Sequence, residues 1–88
     1  MTDDALSRLR ERIAARDAEI LDLVNRRLEL VREIRAHKDA TGAAFVDPEQ
    51  EARLVARLRE LNGGPLSADG VRQLFHEILA LMKRELDR

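Results

Sequence analysis

Four ionisable residues lie on a helical stripe where apolar side chains are expected. The stripe recurs through Leu6, Ile13, Ile20, Val24, Val31 and Ile34. Seven-residue steps along it also reach Arg10, Asp17, Arg27 and Lys38. Seven residues drift only about 20° around a helix, so these side chains share one face. A buried charge without a partner is strongly destabilising, so cations at these positions indicate that an anion binds there.

The spacing of the cations limits the size of that anion. Arg27 and Lys38 are eleven residues apart, about 16 Å along a helix, so two long side chains can converge on one small anion. Arg10 is about 25 Å from Arg27 and reaches the same ligand only from the partner chain of an antiparallel dimer. The alternatives are that these cations extend their charged ends into water, or that Arg10 pairs with Asp17 or another carboxylate.

Two acidic residues are predicted beside these cations. Glu51 precedes Leu54 and Leu58 by three and seven residues, so it lies on the inward face of its helix. Asp47 lies one turn earlier. Their alternative roles are a helix N-cap for Asp47 and a salt bridge to the first helix for Glu51. Three cations and two acids around one helix-lined cavity suit a small dianion that also carries a hydroxyl group.

The elements that position these residues are three predicted helices. The first is very long, the second short and the third medium, at about 3–40, 48–61 and 68–86. Gly42 ends the first helix, and Asp47 and Pro48 suit the N-cap and first position of the second. Ser67 suits the N-cap of the third. The sequence therefore predicts an all-α fold in a single domain, residues 1–88.

The length of the first helix predicts assembly. At 1.5 Å per residue it is about 55 Å long. A compact monomer of 88 residues has a radius of gyration of only about 12 Å. Its remaining apolar positions need a partner surface, and a second copy of the chain supplies one. We therefore predict a homodimer with two long helices packed along each other.

Composition excludes several classes of function. Of the 88 residues, 44% are hydrophobic, 38% are charged and 2% are aromatic, with a net charge of −1 and no cysteine. Balanced charge and few aromatic residues argue against a nucleic-acid binder. The sequence also lacks disulfides, thiolate metal sites, a membrane span and a signal peptide's apolar core. We expect a cytoplasmic protein without metal or cofactor, with His37 and His76 on the surface.

These segments together carry a resemblance to a known family. The run "LRERIAARDAEILDLVNRRLELVREIRAHK", then "DPEQE", then "LFHEIL" resembles the all-helical class of bacterial chorismate mutases. The resemblance covers nearly the whole chain. Its specific part is the spacing of Arg10, Asp17, Arg27, Lys38, Asp47 and Glu51.

The resemblance implies an intertwined helical homodimer with two active sites, each built from both chains, that converts chorismate to prephenate without a cofactor. It implies that Arg27 and the other subunit's Arg10 bind the two carboxylates of the substrate. Lys38 would donate to the ether oxygen, and Glu51 with the Asp47 region would hold the ring hydroxyl. Catalytic roles are thus expected for Lys38, Arg27 and Glu51.

The sequence departs from the family pattern at three positions. Gln50 stands where many members carry arginine, and Met82 where serine is common. Leu86 stands where glutamine or glutamate usually shares the ether oxygen, and the neighbouring Glu85 lies about 100° away around the helix. We expect Met82 and Leu86 to be core residues, and activity to be weak or completed by an aromatic-pathway synthase. An isochorismate–pyruvate lyase and a non-catalytic dimerisation or regulatory module are the alternatives.

Overall fold

The computed structural model describes residues 3–42 and 47–88, which form three helices. They are α1 (Asp3–Thr41), α2 (Pro48–Leu61) and α3 (Ala68–Leu86). No strand occurs among these described residues, so the all-α prediction is confirmed. The predicted bounds of α2 and α3 are confirmed, and α1 ends one residue later than predicted.

Helix α1 is 39 residues long, and the charged residues in its first and last turns are favourably placed with respect to the helix dipole. Asp3 and Asp4 lie in its first turn and Lys38 in its last, where each charge is favourable. Gly42 follows the helix with a φ of +74°. This left-handed conformation costs glycine little and other residues more, so Gly42 ends α1 as predicted.

Short polar motifs set the ends of α2. Asp47 is its N-cap, with the side-chain Oδ1 accepting from the Gln50 amide at 3.2 Å. At the other end the Asn62 amide donates to the Leu58 carbonyl. The Asn62 side chain donates to the Leu66 carbonyl at 2.6 Å and accepts from the Gly64 amide at 3.1 Å. Asn62 therefore both ends α2 and shapes the turn toward α3.

Helix α3 carries the most enclosed part of the chain. Ser67 is its N-cap, and its hydroxyl accepts from the Gly70 amide at 2.9 Å. Val71 and Met82 are buried, and α3 packs against α2. The expectation that Met82 is a core residue is confirmed. Leu61, the last residue of α2, is exposed although it continues the apolar spacing of Leu54 and Leu58.

Backbone contacts divide the chain into two units, Met1–Val31 and Arg32–Arg88, with the boundary inside α1. The described residues of the first unit are helical throughout, and none is buried. Ile13 and Ile20 are 60% and 58% exposed. The predicted apolar stripe is therefore exposed at Ile13 and Ile20 and half-buried at Val24 and Val31 on a single chain. The second unit contains the end of α1 together with α2 and α3. That residues 1–88 are one domain stays a prediction.

Candidate active site

Two of the predicted cations on α1 are half-buried and have no side-chain partner in the described part of the chain. Arg27 and Lys38 are neither buried nor fully exposed. Within the described residues 3–42 and 47–88, their side chains form no ion pair or hydrogen bond. By contrast, the neighbouring Arg26 is exposed and pairs with Asp22 at 2.9 Å. Of these two adjacent arginines, Arg27 is therefore the less exposed.

The other two charged residues of the stripe are exposed. Arg10 and Asp17 lie in the Met1–Val31 unit, and both are open to solvent. Neither forms an ion pair with a described residue, so the alternative that Arg10 pairs with Asp17 is wrong for this chain. Whether Arg10 serves a second subunit stays a prediction.

Glu51 is held by a cation that the sequence did not single out. Its Oε1 lies 2.8 Å from the Lys83 Nζ of α3, and the two side chains are 30% and 40% exposed. The alternative that Glu51 forms a salt bridge to the first helix is therefore wrong, because its partner lies on the third. An acid on the inward face of α2 implies a facing cation, and Lys83 and Arg84 were the candidates near the end of α3.

The side chains of Asp47 and Gln50 both form hydrogen bonds with residues at the start of α2. Asp47 is exposed and caps α2 through its carboxylate, which confirms its structural alternative. The Gln50 side-chain oxygen accepts from the Arg53 guanidinium at 3.0 Å. A role for Asp47 toward a ligand stays a prediction.

At the end of α3 an apolar side chain stands at the position where the family pattern has a polar one. Leu86 is half-buried at the last position of the helix. The Oε2 of Glu85 is shielded from solvent and lies 2.8 Å from the Arg88 Nε, an ion pair without hydrogen-bond geometry. Glu85 therefore has its own partner and does not replace the missing group. Arg35 of α1 pairs with Asp87 at 3.2 Å beside this end.

The remaining surface offers no second candidate of this kind among the described residues. His37 and His76 are exposed, as predicted. A concavity along α1 is lined only by residues between Arg8 and Arg16, and one helix cannot enclose a ligand. Within 3–42 and 47–88 no group of three or more acidic or histidine side chains is placed to hold a metal ion. None of the three helices, as far as they are described, is long and apolar enough to cross a bilayer.

The described residues 3–42 and 47–88 thus define an all-helical protein whose longest helix carries two half-buried cations. The family model of chorismate mutase type II matches residues 9–85. Two structures of chorismate mutase from Thermus thermophilus share the fold. Form I has a TM-score of 0.87 at 32% identity, covering 89% of this chain and 98% of that chain. Form II has a TM-score of 0.90 at 31% identity, covering 96% of each.

Longer proteins also match. The bifunctional chorismate mutase/prephenate dehydratase of Stutzerimonas stutzeri is 38% identical over 82 residues, which are 88% of this chain and 22% of that protein. The protein of the same description from Neisseria gonorrhoeae is 38% identical over 78 residues, 89% of this chain and 21% of its own length. The chain thus spans about a fifth of these curated relatives. It belongs to the chorismate mutase type II family.

Proposed function

We propose that this chain is an isomerase that converts chorismate to prephenate, a step toward phenylalanine and tyrosine, in the cytoplasm. The observation that carries the proposal is the pair Arg27 and Lys38. Both are half-buried on α1 without an anionic partner among the described residues, in a chain of this family. A dianionic substrate supplies the missing charge.

The chemistry suits a site built from fixed charges. In this rearrangement one C–O bond breaks and one C–C bond forms within the same molecule, so no proton, metal or cofactor is required. Catalysis then needs a substrate held in the folded, reactive conformation. It also needs positive charge placed where negative charge grows on the ether oxygen. Arginine and lysine on a rigid helix meet both requirements.

Each residue has a distinct role in the proposal. Arg27 binds a substrate carboxylate, because its planar guanidinium can donate two parallel hydrogen bonds. Lys38 donates to the ether oxygen as the bond breaks. Glu51 accepts from the ring hydroxyl. Asp47 contributes less than Glu51, since its carboxylate already caps α2.

A homodimer completes the proposed site. Arg10 is exposed on a single chain, as are the apolar residues Ile13 and Ile20 near it on α1. Packing that face of α1 against a second copy removes the apolar side chains from water. It also brings the partner's Arg10 to the second carboxylate. The incomplete charge set on one chain supports this arrangement.

The substitution at Leu86 suggests that turnover by the chain alone is modest. A missing donor to the ether oxygen costs about 100-fold in rate in comparable sites. Glu85 is paired with Arg88 and does not compensate. We therefore expect an aromatic-pathway synthase to raise the activity when it is added as a separate protein.

Depletion of chorismate by purified protein tests the proposal. We expect R27A and K38A to lower kcat/KM by about 100- to 1,000-fold. The matched control is R26A, which removes the adjacent exposed arginine and should stay within about twofold of wild type. Wild-type protein that leaves chorismate unchanged, alone and with the synthase, would overturn the proposal.

Two other outcomes of the same assay have a defined meaning. Pyruvate and salicylate formed from isochorismate, without mutase turnover, would assign the site to the related lyase. An R27A variant that binds chorismate and turns it over like wild type would indicate a non-catalytic helical module.

A further inference from the structure

The ion pair between Lys83 and Glu51 differs from the other ion pairs in the described part of the chain. Six of the eight pairs join residues three or four apart on one helix or at its end. Arg35–Asp87 and Lys83–Glu51 join distant segments. Of these two, only Lys83–Glu51 involves a residue to which the proposed reaction gives a role.

The contact fixes one oxygen of the Glu51 carboxylate. Lys83 Nζ lies 2.8 Å from Oε1, an ion pair in which the two opposite charges attract each other directly. A carboxylate has two oxygens, each able to accept hydrogen bonds. Within residues 3–42 and 47–88 the Oε2 of Glu51 takes no side-chain hydrogen bond. The contact therefore leaves one oriented acceptor for a ligand hydroxyl.

The charge of Lys83 matters as much as its position. A carboxylate placed beside a dianionic substrate repels it, because like charges interact over several ångströms in a partly enclosed site. Lys83 offsets that negative charge directly at Oε1. Glu51 can then accept a hydroxyl without an electrostatic penalty for the rest of the substrate.

We propose that Lys83 is a positioning residue for hydroxyl recognition. It holds the Glu51 carboxylate so that Oε2 accepts from the ring hydroxyl of the substrate, and it neutralises the charge that Glu51 presents to the dianion. This inference rests on the proposed function, and it adds a residue of α3 to the site. Lys83 is not expected to touch the reacting atoms.

The kinetic consequence follows from when the contact is made. The ring hydroxyl does not react, so its hydrogen bond to Glu51 exists in both the bound substrate and the transition state. Loss of such a contact raises KM and leaves kcat nearly unchanged. It also weakens the preference for a substrate that carries the hydroxyl over an analogue that lacks it.

The experiment measures kcat and KM for chorismate and for an analogue without the ring hydroxyl. We expect K83Q to raise KM for chorismate about tenfold with kcat within about twofold of wild type. For the analogue, K83Q and wild type should agree within about twofold. K83R keeps the charge and should recover most of the lost affinity. In an E51Q background K83Q should add little, because the two changes break one interaction.

Controls separate this role from folding. R84Q removes the neighbouring exposed cation of α3 and should leave both substrates unaffected. Circular dichroism melts show whether each variant folds, and K83M replaces K83Q if the glutamine variant does not. Equal losses for both substrates, or a K83Q enzyme identical to an active wild type, would overturn the role of Lys83. Wild-type protein without chorismate turnover would overturn the proposed function and this inference together.

Discussion

The two units of the chain differ in how far their described side chains are exposed. These units are Met1–Val31 and Arg32–Arg88. In the first unit no described side chain is buried, and Ile20 and Arg10 are exposed. In the second, Met82 is buried and Glu51 is held by Lys83. The second unit thus supplies contacts for Met82 and Glu51 from its own helices, whereas Ile20 and Arg10 of the first unit are left exposed on a single chain.

The substitution I20E tests the first unit with the largest expected effect. In the proposed dimer Ile20 is covered, and a buried carboxylate without a partner there is strongly destabilising. We expect a mass equal to one chain in light scattering. Because the partner's Arg10 is then absent, kcat/KM should fall by at least about 100-fold.

The control for I20E is A18E, which adds the same charge two residues away. Two residues turn a helix by about 200°, so Ala18 lies on the opposite side from Ile20. A18E should keep the wild-type mass and activity. If I20E also keeps the mass of two chains, the exposed face of α1 is not the dimer interface. A second copy of the chain would then not explain why the first unit is exposed.

The substitution M82A tests the second unit. Met82 is 3% exposed, and truncation of a buried methionine leaves a cavity. We expect the free energy of unfolding to fall by about 2–4 kcal/mol, measured by urea denaturation at one fixed chain concentration. L74A on the exposed part of α3 is the control and should cost less than about 1 kcal/mol. Equal losses for the two variants would show that α3 lacks the distinct core that we assign to it.

The sequence predicted the helices well because their ends are local. Asp47, Ser67 and Gly42 act on backbone groups within a few residues of themselves. The residue type at each position is therefore enough to locate the caps. The difference in exposure between Arg26 and Arg27 could also be predicted, because the helical period determines on which side of a single helix each residue lies. Residues whose environment depends on one helix were therefore predicted correctly.

The sequence could not predict contacts between helices. The partner of Glu51 depends on how α2 and α3 pack, and helical period carries no information on which cation faces it. The exposure of Leu61 had the same cause, because an apolar residue at the end of α2 fits the stripe without being covered. The length and apolar positions of α1 predict a partner surface for Ile13 and Ile20, but they do not say which residues of a second copy would contact them.

The substitution D69N has the smallest expected effect and tests the polar start of α3 in the second unit. Arg72 donates to Asp69 Oδ1 from Nε at 3.1 Å and from Nη2 at 2.7 Å. This hydrogen bonding, together with the positive charge of Arg72, lowers the pKa of Asp69 below its ordinary 3.8. A lowered pKa in the folded state means that unfolded chains bind the proton first as pH falls.

The resulting stabilisation is present above the ordinary pKa and is lost as pH falls through the folded value. We therefore expect the melting temperature of D69N to depend less steeply on pH than that of wild type as pH falls below the ordinary pKa of 3.8. R72Q should make the melting temperature less dependent on pH in the same way, because it removes the guanidinium that lowers the pKa of Asp69. The effect is small since Asp69 is open to solvent, which screens the pair. An unchanged slope in both variants would show that α3 owes its acid stability to its apolar packing alone.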